Sequence, residues 1–418
     1  AQLRILPSVA FISAFLNNTP VVVIFAPIIK HWAKSVKLPA TKFLIPLSYV
    51  TILGGICTLI GTSTNLVVHG MILEAGYEGF TMFELGKVGI FIAIAGIIYL
   101  FIFSKRLLPD ARPDTAVPDE EVEEGEKLHR VEAVLGARFP GINKKLSDFN
   151  FQRHYGAEVK EIKTRNGQRY VDHLEDVVLR EGDTLVVMAD DTFIPTWGES
   201  SVFVLLTNGN DPDTSGKKKR WLALILLVLM IVGATVGELP ATKEMFPDIK
   251  LDMFFFVCIT TIIMAWTNIF PARKYTKYIS WDILITIACA FAISKAMVNS
   301  GVADCVAGFI IGLSDDYGPH VLLAILFVIT NLFTELITNN AAAALAFPLA
   351  LSISAQLGVS PTPFFVVICM AASASFSTPI GYQTNLIVQG IGNYKFTDFV
   401  RIGLPLNIIT FLISVILI

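Results

Sequence analysis

Two short runs of amide and hydroxyl side chains stand inside otherwise apolar sequence. We call them the first tip, Asn17-Asn18-Thr19, and the second tip, Thr338-Asn339-Asn340. Neutral oxygens of this kind are ligands for hard cations, whereas thiols and imidazoles bind softer metals. No cysteine or histidine cluster accompanies either tip, and the five cysteines lie scattered in apolar segments. The tips therefore predict binding of a cation and a polar ligand.

A second pair of matched segments lies downstream of the tips. Residues 61–68 read GTSTNLVV and residues 381–388 read GYQTNLIV. Asn18 and Asn339 are 321 residues apart (339 − 18), and the asparagines of the two downstream segments are 320 apart (385 − 65). A spacing that holds within one residue over such a distance predicts an internal repeat.

The composition places these tips in a membrane. Hydrophobic residues make up 54% of the 418 residues and charged residues only 16%, below the quarter or so that is typical of soluble domains. Residues 105–220 hold 18 Lys and Arg and 22 Asp and Glu, that is, 40 of the 67 charges of the chain. This distribution predicts a polytopic membrane protein interrupted by one soluble domain.

Apolar stretches of roughly 17 to 25 residues are long enough to cross a bilayer. Such stretches lie near 43–68, 88–104, 221–239, 251–270, 281–299, 361–390 and 399–418. Two others, 5–29 and 320–352, are broken in the middle by the tips. The sequence thus predicts ordinary spans together with two interrupted ones.

The interrupted segments are expected to enter the membrane from opposite faces. With Lys and Arg clusters such as 217–220 placed in the cytoplasm, both ends of segment 5–29 face the cytoplasm and both ends of 320–352 face outside. Each segment then dips in and turns back, and such backbone needs protein or a water-filled cavity around it. The predicted fold is an α-helical polytopic membrane protein with inverted repeats and two re-entrant hairpins.

The charge pattern also divides the chain into segments. We predict a first transport repeat, an acidic linker, a small α/β domain, a basic linker and a second transport repeat, at 1–109, 110–127, 128–206, 207–220 and 221–418. The second repeat has three spans before its hairpin, whereas the first has only 16 residues before Asn17. We therefore expect scaffold helices upstream of the first repeat that are not part of this sequence.

The tips and the downstream segments together resemble the divalent anion/sodium symporters, which carry dicarboxylates, citrate or sulfate. That family has a Ser-Asn-Thr tip in each hairpin and a Gly-Thr-Pro-Pro-Asn-like break downstream. Here neither tip reads Ser-Asn-Thr, and residues 61–65 and 381–385 lack the paired prolines. Because of these departures, a dicarboxylate specificity does not transfer.

The resemblance implies two or more Na⁺ sites and a binding site for a small inorganic or organic dianion. It places the sodium ligands at Asn17, Asn18, Gly54, Gly55 and Thr62 in the first half, and at Thr338, Asn339, Ala374, Ser375 and Thr378 in the second. The residues expected to face the substrate are Asn18, Thr19, Thr64, Asn339, Asn340 and Thr384.

An acidic residue breaks the symmetry between the tips. Glu335 lies three residues before Thr338, while Ser13 and Ala14 occupy the matching place in the first half. Ionisable residues inside a membrane segment are functional candidates by default. Two interpretations of Glu335 stay open: a part in cation or proton coupling, and a structural part in which it stabilises the hairpin through hydrogen bonds.

The inserted domain has its own pattern of short strands. We predict strands at Val131–Leu135, Ala157–Ile162, Val177–Leu179 and Thr184–Met188 and a short helix at Lys145–Phe149. Residues 139–143, 155–157 and 178–185 resemble the C-terminal domain of potassium-uptake regulators (TrkA-C, the RCK C-terminal domain). That likeness implies a homodimer and a nucleotide-type regulatory ligand, and a stability module without a ligand is the alternative.

These observations predict a sodium-coupled symporter with elevator-type alternating access in the inner (plasma) membrane, with the insert in the cytoplasm. Sulfate is favoured over di- or tricarboxylates because the domain combination resembles the sulfate-type branch. A proton-coupled anion or arsenite permease, or a Na⁺/H⁺ antiporter, is the alternative. No clustered acid, nucleophile and metal set predicts an enzyme, and a net charge of −3 offers no basic face for nucleic acid.

Overall fold

The computed structural model describes most of the chain. The described residues are 2–36, 38–110, 129–136, 138–164, 168–190, 193–197, 202–207, 217–237, 239–245, 251–267, 269, 281–312 and 318–418. Within them, four helices are long and apolar enough to span a bilayer, and one bent pair adds a fifth. The protein is thus a helical, multi-pass membrane protein. The predicted linkers at 110–127 and 207–220 lie largely outside the described residues.

The first half forms five helices around a buried centre. They are α1 (Gln2–Ser13), α2 (Asn18–Ser35), α3 (Leu44–Gly55), α4 (Ser63–Glu74) and α5 (Gly86–Leu107). All twelve residues of α3 are buried, and α1, α2 and α5 pack against it. A helix that is apolar on every side needs partners on every side, so α3 forms the centre of this half.

The inserted domain is a five-stranded sheet with short helices. Its elements are β1 (His129–Leu135), α6 (Phe151–Tyr155), β2 (Glu158–Lys163), β3 (Arg169–Tyr170), β4 (Thr184–Ala189), α7 (Phe193–Trp197) and β5 (Phe203–Thr207). The strand order is β3-β2-β4-β1-β5 and every pairing is antiparallel. Phe139 packs against Phe149, Tyr155 and Phe203 in an aromatic core on this sheet.

Two details of the insert differ from the sequence prediction. Lys145–Phe149 was predicted to be helical, but it forms turns, and the helix begins only at Phe151, where Asn150 accepts the Arg153 N–H at 3.0 Å. Asn caps a helix better than it continues one, which explains the shift. Val177–Leu179 was predicted to be a strand, but it lies outside the five-stranded sheet and pairs with residues 143–146 through backbone hydrogen bonds around an isolated bridge between Val178 and Lys145.

The second half contains ten helices among the described residues. They are α8 (Lys217–Gly237), α9 (Pro240–Met245), α10 (Met253–Trp266), α11 (Trp281–Asn299), α12 (Val302–Gly312), α13 (Pro319–Leu336), α14 (Asn339–Leu357), α15 (Thr362–Ser373), α16 (Gln383–Gly392) and α17 (Phe396–Leu417). The second tip thus joins α13 to α14, just as the first tip joins α1 to α2. Outward-facing side chains such as Trp266 and Ile416 are 86% and 76% exposed, as lipid-facing residues are.

The two halves pack into each other. Helix α17 lies on α5, α14 lies on α4, and α16 lies on α2 and α3. The buried Tyr99 hydroxyl of α5, for example, donates to the Ile402 carbonyl of α17 at 3.0 Å. This packing brings the tip of each half to the interrupted helices of the other.

Candidate functional site at the crossed tips and breaks

The first break, residues 56–62 between α3 and α4, is held by two side chains. The Thr58 hydroxyl donates to the Ala14 carbonyl and accepts the Gly61 N–H at 3.2 Å. The Asn65 amide nitrogen, in the first turn of α4, donates back to the Thr58 carbonyl at 2.9 Å. Because buried backbone polar groups must be paired, these side chains replace bonds that a continuous helix would make.

The second break, residues 374–382 between α15 and α16, uses the same pattern. The Thr378 hydroxyl donates to the Glu335 carbonyl at 3.0 Å and accepts the Gly381 N–H at 3.4 Å. The Asn385 amide nitrogen donates to the Thr378 carbonyl at 3.2 Å. Each of these residues follows its counterpart in the first break by 320 or 321 positions, so the sequence repeat is matched by a repeat in hydrogen bonding.

The second tip reaches the helix that follows the first break. The Asn339 amide nitrogen donates to the Thr64 hydroxyl at 2.6 Å. The Asn340 amide oxygen accepts from the Thr64 hydroxyl at 3.0 Å and from the Ser63 hydroxyl at 3.3 Å. Three residues predicted to face the substrate, Asn339, Asn340 and Thr64, therefore meet in one place.

The first tip makes the reciprocal contact. The Thr19 hydroxyl donates to the Gln383 side-chain oxygen at 3.2 Å, and Asn18 lies 2.6 Å from the Tyr382 hydroxyl. The remaining predicted substrate residue, Thr384, is fully buried and accepts from the Ser48 hydroxyl of α3 at 2.9 Å. Thr384 is thus farther into the protein than Thr19.

Tyr382 joins the two halves at the centre of this cluster. Its hydroxyl lies 2.8 Å from the Thr62 hydroxyl and also interacts with the Asn339 side chain, and the residue is 6% exposed. Tyr382 is not among the predicted site residues. A signal was present, because Tyr382 stands 320 positions after Thr62 and is the one aromatic residue in the matched segments 61–68 and 381–388.

The buried Asn18 amide can be oriented in two ways, since its oxygen and nitrogen are nearly indistinguishable in shape. With the nitrogen toward Tyr382, its oxygen accepts from the Ser13 hydroxyl at 2.8 Å. In the reverse orientation, the nitrogen donates to the Thr51 and Gly61 carbonyls at 3.0 and 3.2 Å, and the oxygen accepts the Tyr382 O–H.

These two orientations bear on sodium binding. In the first orientation, the amide oxygen of Asn18 lies 3.0 Å from the Thr51 carbonyl oxygen and 3.2 Å from the Gly61 carbonyl oxygen, which are hydrogen-bond distances. Oxygens that close repel one another unless a proton or a cation lies among them. The donor set of amide, carbonyl and hydroxyl oxygens is one that a hard cation accepts, so the residues present fit Na⁺.

The glycines at the end of α3 leave room for this amide. A Cβ on Gly55 would lie 2.4 Å from the Asn18 amide oxygen, and a Cβ on Gly54 would lie 2.1 Å from the Ala10 carbonyl oxygen. Any side chain at these positions would displace α1 or the tip. Of the predicted sodium ligands, Gly55 therefore lies against Asn18 and Thr62 joins Asn18 through Tyr382, whereas Gly54 lies against α1.

The predicted ligands of the second sodium site are less closely gathered. Thr338 is exposed at the second tip, as Asn17 of the predicted first site is at the first tip. The Thr338 hydroxyl accepts the Ala341 N–H at 3.4 Å as a helix cap. The Ala374 carbonyl accepts from Asn331 of α13 at 2.6 Å. Asn331 was absent from the predicted set because its contact depends on how α13 packs on α15.

Glu335 is the charged group next to the second break. Its carboxylate accepts the Ser377 N–H at 2.8 Å, the Asn407 amide at 2.7 Å and the Ser375 hydroxyl at 3.4 Å. All three partners donate to the carboxylate, so it is bonded into the second break. Asn407, on the distant helix α17, was not foreseen, because nothing in its local sequence marks it.

The cluster is polar, uncharged at its centre and open at one edge. Gln383 is exposed and Thr19, Ser63 and Asn339 are partly so, while Asn18 is completely buried. The hydroxyl and amide groups of this edge can donate to an anion, and the oxygens around Asn18 can hold a cation. The arrangement therefore suits a ligand that arrives with its own counter-ion.

Comparison with known proteins decides the family. The family model described as citrate transporter matches residues 3–354 and 249–418 of the chain. The chain belongs to the citrate transporter family. It is accordingly a transporter rather than an enzyme, and its tips and breaks lie in the part of the chain that the family model covers.

Three relatives indicate the range of this family. An uncharacterized transporter (sll0640) of Synechocystis is 30% identical, over 95% of this chain and 78% of the relative. Probable sodium/sulfate cotransporter 3 of Chlamydomonas reinhardtii is 32% identical, over 67% of this chain and 31% of its own. The sodium-dependent dicarboxylate transporter SdcS of Staphylococcus saprophyticus is 25% identical, over 35% and 28%. Together with the family match, these names support an anion transporter that uses sodium.

Proposed function

We propose that this member of the citrate transporter family is a sodium-coupled symporter of a small dianion, with sulfate favoured over di- and tricarboxylates. The observation that carries the proposal is the crossed cluster, in which uncharged donors at an open edge adjoin the oxygens around Asn18. An anion held by neutral groups in a poorly polarisable medium needs a nearby cation, and Na⁺ at Asn18 supplies it.

Two or more Na⁺ form part of the proposal. The first site comprises Asn18 together with the Thr51 and Gly61 carbonyls and the Ser13 hydroxyl. The second site uses the second break, where Ser375 and Glu335 lie. The oxygen ligands supplied by Thr51 and Ser13 extend the set that the sequence predicted for the first site.

The membrane potential explains why two cations are the minimum. Moving a dianion inward against about 100 mV costs about 4.6 kcal/mol, at about 2.3 kcal/mol per charge. Two entering Na⁺ cancel this electrical cost and add their own concentration gradient, and a third makes uptake electrically favourable. The two matched tips would each provide a binding site for one of these two Na⁺ ions.

Sulfate is favoured on two grounds. The open edge offers amide and hydroxyl donors from Thr19, Ser63, Gln383 and Asn339 rather than the Arg or Lys side chains that commonly pair with separated carboxylates. In addition, one relative of this chain bears the name sodium/sulfate cotransporter. A compact tetrahedral dianion can face donors from both halves at once.

The movement we propose is of the elevator type. The two tip-bearing helix pairs, α1–α2 and α13–α14, would enter the membrane as re-entrant hairpins of inverted repeats and move with their breaks against a scaffold. The helices α8, α10 and α11, which precede the second hairpin in the chain, would belong to that scaffold. The protein would work as a homodimer in the plasma (inner) membrane, with the insert in the cytoplasm.

We further propose that the insert regulates this movement as a TrkA-C-like domain. Glu132 of β1 pairs with Lys30 of α2 at 3.1 Å, Gly182 lies directly against Leu386 of α16, and Val134 is buried with the membrane core. The insert therefore contacts one helix from each half: α2, which follows the first tip, and α16, which follows the second break. A nucleotide-type ligand that alters the insert would alter the freedom of these helices.

Glu335 supports a second candidate function, proton-driven transport. Its carboxylate lies beside the second break and is the acidic group there. A proton-coupled anion or arsenite permease, or a Na⁺/H⁺ antiporter, would load and release a proton at this group. Its carboxylate is already bonded by three protein donors, Ser375, Ser377 and Asn407, and for this reason we place sodium coupling first.

The test is uptake by proteoliposomes containing the full chain. Labelled sulfate, succinate and citrate are offered in turn, and a Na⁺, Li⁺ or proton gradient is imposed separately. We expect sulfate uptake that needs an inward Na⁺ gradient and persists without a proton gradient. Uptake driven by protons in the absence of Na⁺ would replace the proposal with the proton-coupled alternative.

A further inference from the structure

Tyr382 touches both the proposed sodium ligand, Asn18, and a group of the open edge, Asn339. Its hydroxyl lies 2.6 Å from the Asn18 side chain and 2.8 Å from the Thr62 hydroxyl, and it also interacts with Asn339. A phenol carries one proton to donate and can accept at its oxygen. The direction of its hydrogen bonds therefore depends on what Asn18 presents to it.

Without a cation, one orientation of the Asn18 amide pairs its nitrogen with hydrogen-bond acceptors and its oxygen with a donor. Its nitrogen donates to the Thr51 and Gly61 carbonyls, and its oxygen then accepts the Tyr382 O–H at 2.6 Å. The single proton of Tyr382 is used inside the protein in this state. An anion at the open edge would meet the lone pairs of the phenol and not its proton.

With Na⁺ among those oxygens, the other orientation is required. The Asn18 oxygen turns toward the Thr51 and Gly61 carbonyls, because all three must face the cation, and the nitrogen turns toward Tyr382. The phenol oxygen then accepts from Asn18, and its proton becomes free to be donated to another acceptor. The nearest protein alternative, the Thr62 hydroxyl, can itself either donate or accept.

We propose that Tyr382 is the coupling residue of this site: sodium binding turns the Asn18 amide, which frees the Tyr382 O–H to bind the anion. This inference rests on the proposed sodium–anion symport and names the residue through which the two ligands sense each other. By linkage, the anion strengthens sodium binding by the same factor.

The asymmetry between the halves supports this role. The position matched to Tyr382 in the first half is Thr62, whose shorter side chain reaches only as far as the phenol. The second tip has no equivalent relay, since Asn339 donates to Thr64 instead. One half thus supplies the sodium ligand and the other supplies the group that reports its occupancy.

The test measures binding of each ligand separately in the purified full chain. Anion affinity is determined with labelled sulfate, succinate and citrate, in Na⁺ and in choline, and sodium binding is followed as the thermal stabilisation that Na⁺ gives without an anion. In Tyr382→Phe, we expect Na⁺ to stabilise the protein as in the wild type. The gain in anion affinity caused by Na⁺ should fall about 10- to 100-fold, the range for one hydrogen bond to a charged group.

Two further variants make the result specific. Asn18→Asp keeps an oxygen for Na⁺ but has no N–H to turn toward Tyr382, so it should retain sodium stabilisation and lose the sodium-dependent gain in anion affinity. Tyr99→Phe removes a buried phenol hydroxyl that donates to the Ile402 carbonyl, far along the chain from both tips. It should retain both properties.

Three results would overturn the inference in different ways. If Tyr382→Phe keeps the full sodium-dependent gain, the coupling role is wrong and the symport stands. If it also loses stabilisation by Na⁺, Tyr382 is part of the sodium site itself and does not relay its occupancy. If the wild type shows no effect of Na⁺ on any of the three anions, the proposed function fails, and the coupling role fails with it.

Discussion

The first and second breaks hold their backbone in the same way and line it with different side chains. Thr58 and Thr378 each bond a carbonyl that precedes a tip, and Asn65 and Asn385 each close the break from the following helix. The matched positions that differ include Ala14 with Glu335, Gly55 with Ser375, and Thr62 with Tyr382. The shared residues make the framework, so the chemistry specific to each half must come from the positions that differ.

Those differences assign distinct tasks to the two halves. Around Gly55 the absence of a side chain leaves space for the Asn18 amide and the carbonyls beside it. In the second half, Ser375 and Glu335 fill the matching space with a hydroxyl and a carboxylate that bond each other at 3.4 Å. Sodium binding at the first tip thus depends on small residues, whereas the second break carries its own charge.

The largest effect should come from removing the tip amides themselves. We expect Asn18→Ala and Asn339→Ala each to reduce Na⁺-dependent uptake by about 100-fold or more, because each loses an oxygen ligand or several hydrogen bonds in a buried site. The measurement is uptake in proteoliposomes, with size-exclusion profiles as the check on folding. Unchanged transport in either folded variant would remove that residue from the site.

A difference between the halves should appear at Gly55 and Ser375. In Gly55→Ala the new Cβ would lie 2.4 Å from the Asn18 oxygen, so the tip must move. We expect the Na⁺ concentration for half-maximal uptake to rise about 10- to 100-fold. Ser375→Gly, which makes the second half resemble the first, adds no clash and should cost less than tenfold.

The matched control for Gly55→Ala is Gly70→Ala in α4. A Cβ at Gly70 would meet only the Phe291 ring, at an ordinary contact distance of 3.6 Å, and alanine favours a helix. Uptake should be unchanged in this variant. If Gly55→Ala behaves like Gly70→Ala, the sodium site does not lie against the end of α3.

The sequence sufficed for the features that repeat. The tips and breaks could be located because matched asparagines recur at nearly constant spacing, and the apolar spans follow from hydropathy. Tyr382, Asn331 and Asn407 could not be assigned in this way, because their partners belong to other helices and depend on packing across the molecule. Tyr382 is nonetheless visible in the sequence as a departure from the repeat, because the matched residue in the first half is Thr62.

The insert shows the same limit on a smaller scale. Strands β1, β2 and β4 were foreseen from their β-branched runs, since apolar residues there alternate or cluster as in buried strands. The five-residue helix α6 was placed too early, because its start is set by the Asn150 cap rather than by hydrophobic periodicity. Short elements of this kind depend on single side chains.

The charge carried only by the second half can be tested with Glu335→Gln. A glutamine can keep its oxygen toward the Ser377 N–H and the Asn407 amide, which bond the same carboxylate oxygen, but it loses the negative charge that strengthens both hydrogen bonds. We therefore expect uptake to fall about tenfold. The residual uptake should still require Na⁺ and ignore a proton gradient. Asp304→Asn, at a half-exposed acid that bonds Ser352 on α14, is the control and should behave like the wild type.

Proton dependence is the outcome that separates the two interpretations of Glu335. If wild-type uptake follows a proton gradient and Glu335→Gln abolishes that dependence, the carboxylate carries the coupling proton, and the proton-coupled alternative is correct. If Glu335→Gln lowers uptake without changing which ion drives it, the carboxylate orders the second break.

The smallest effect is expected at the insert, which contacts the two halves differently. It forms an ion pair with Lys30 of α2 and an apolar contact with Leu386 of α16. Burial alone would raise the pKa of Glu132, but the Lys30 and Lys163 charges lower it from 4.5 to about 2. Because the folded-state pKa is depressed, this stabilisation is complete above about pH 4.5 and is lost as the pH falls toward 2, up to about 3 kcal/mol. Glu132→Gln should therefore lower the melting temperature of the full chain most at about pH 6 and by clearly less at about pH 3. Glu158→Gln, which removes an exposed pair with Lys160 at 2.7 Å, should have no effect at either pH, and an equal loss for Glu132→Gln at both would show that its charge does not hold the insert to α2.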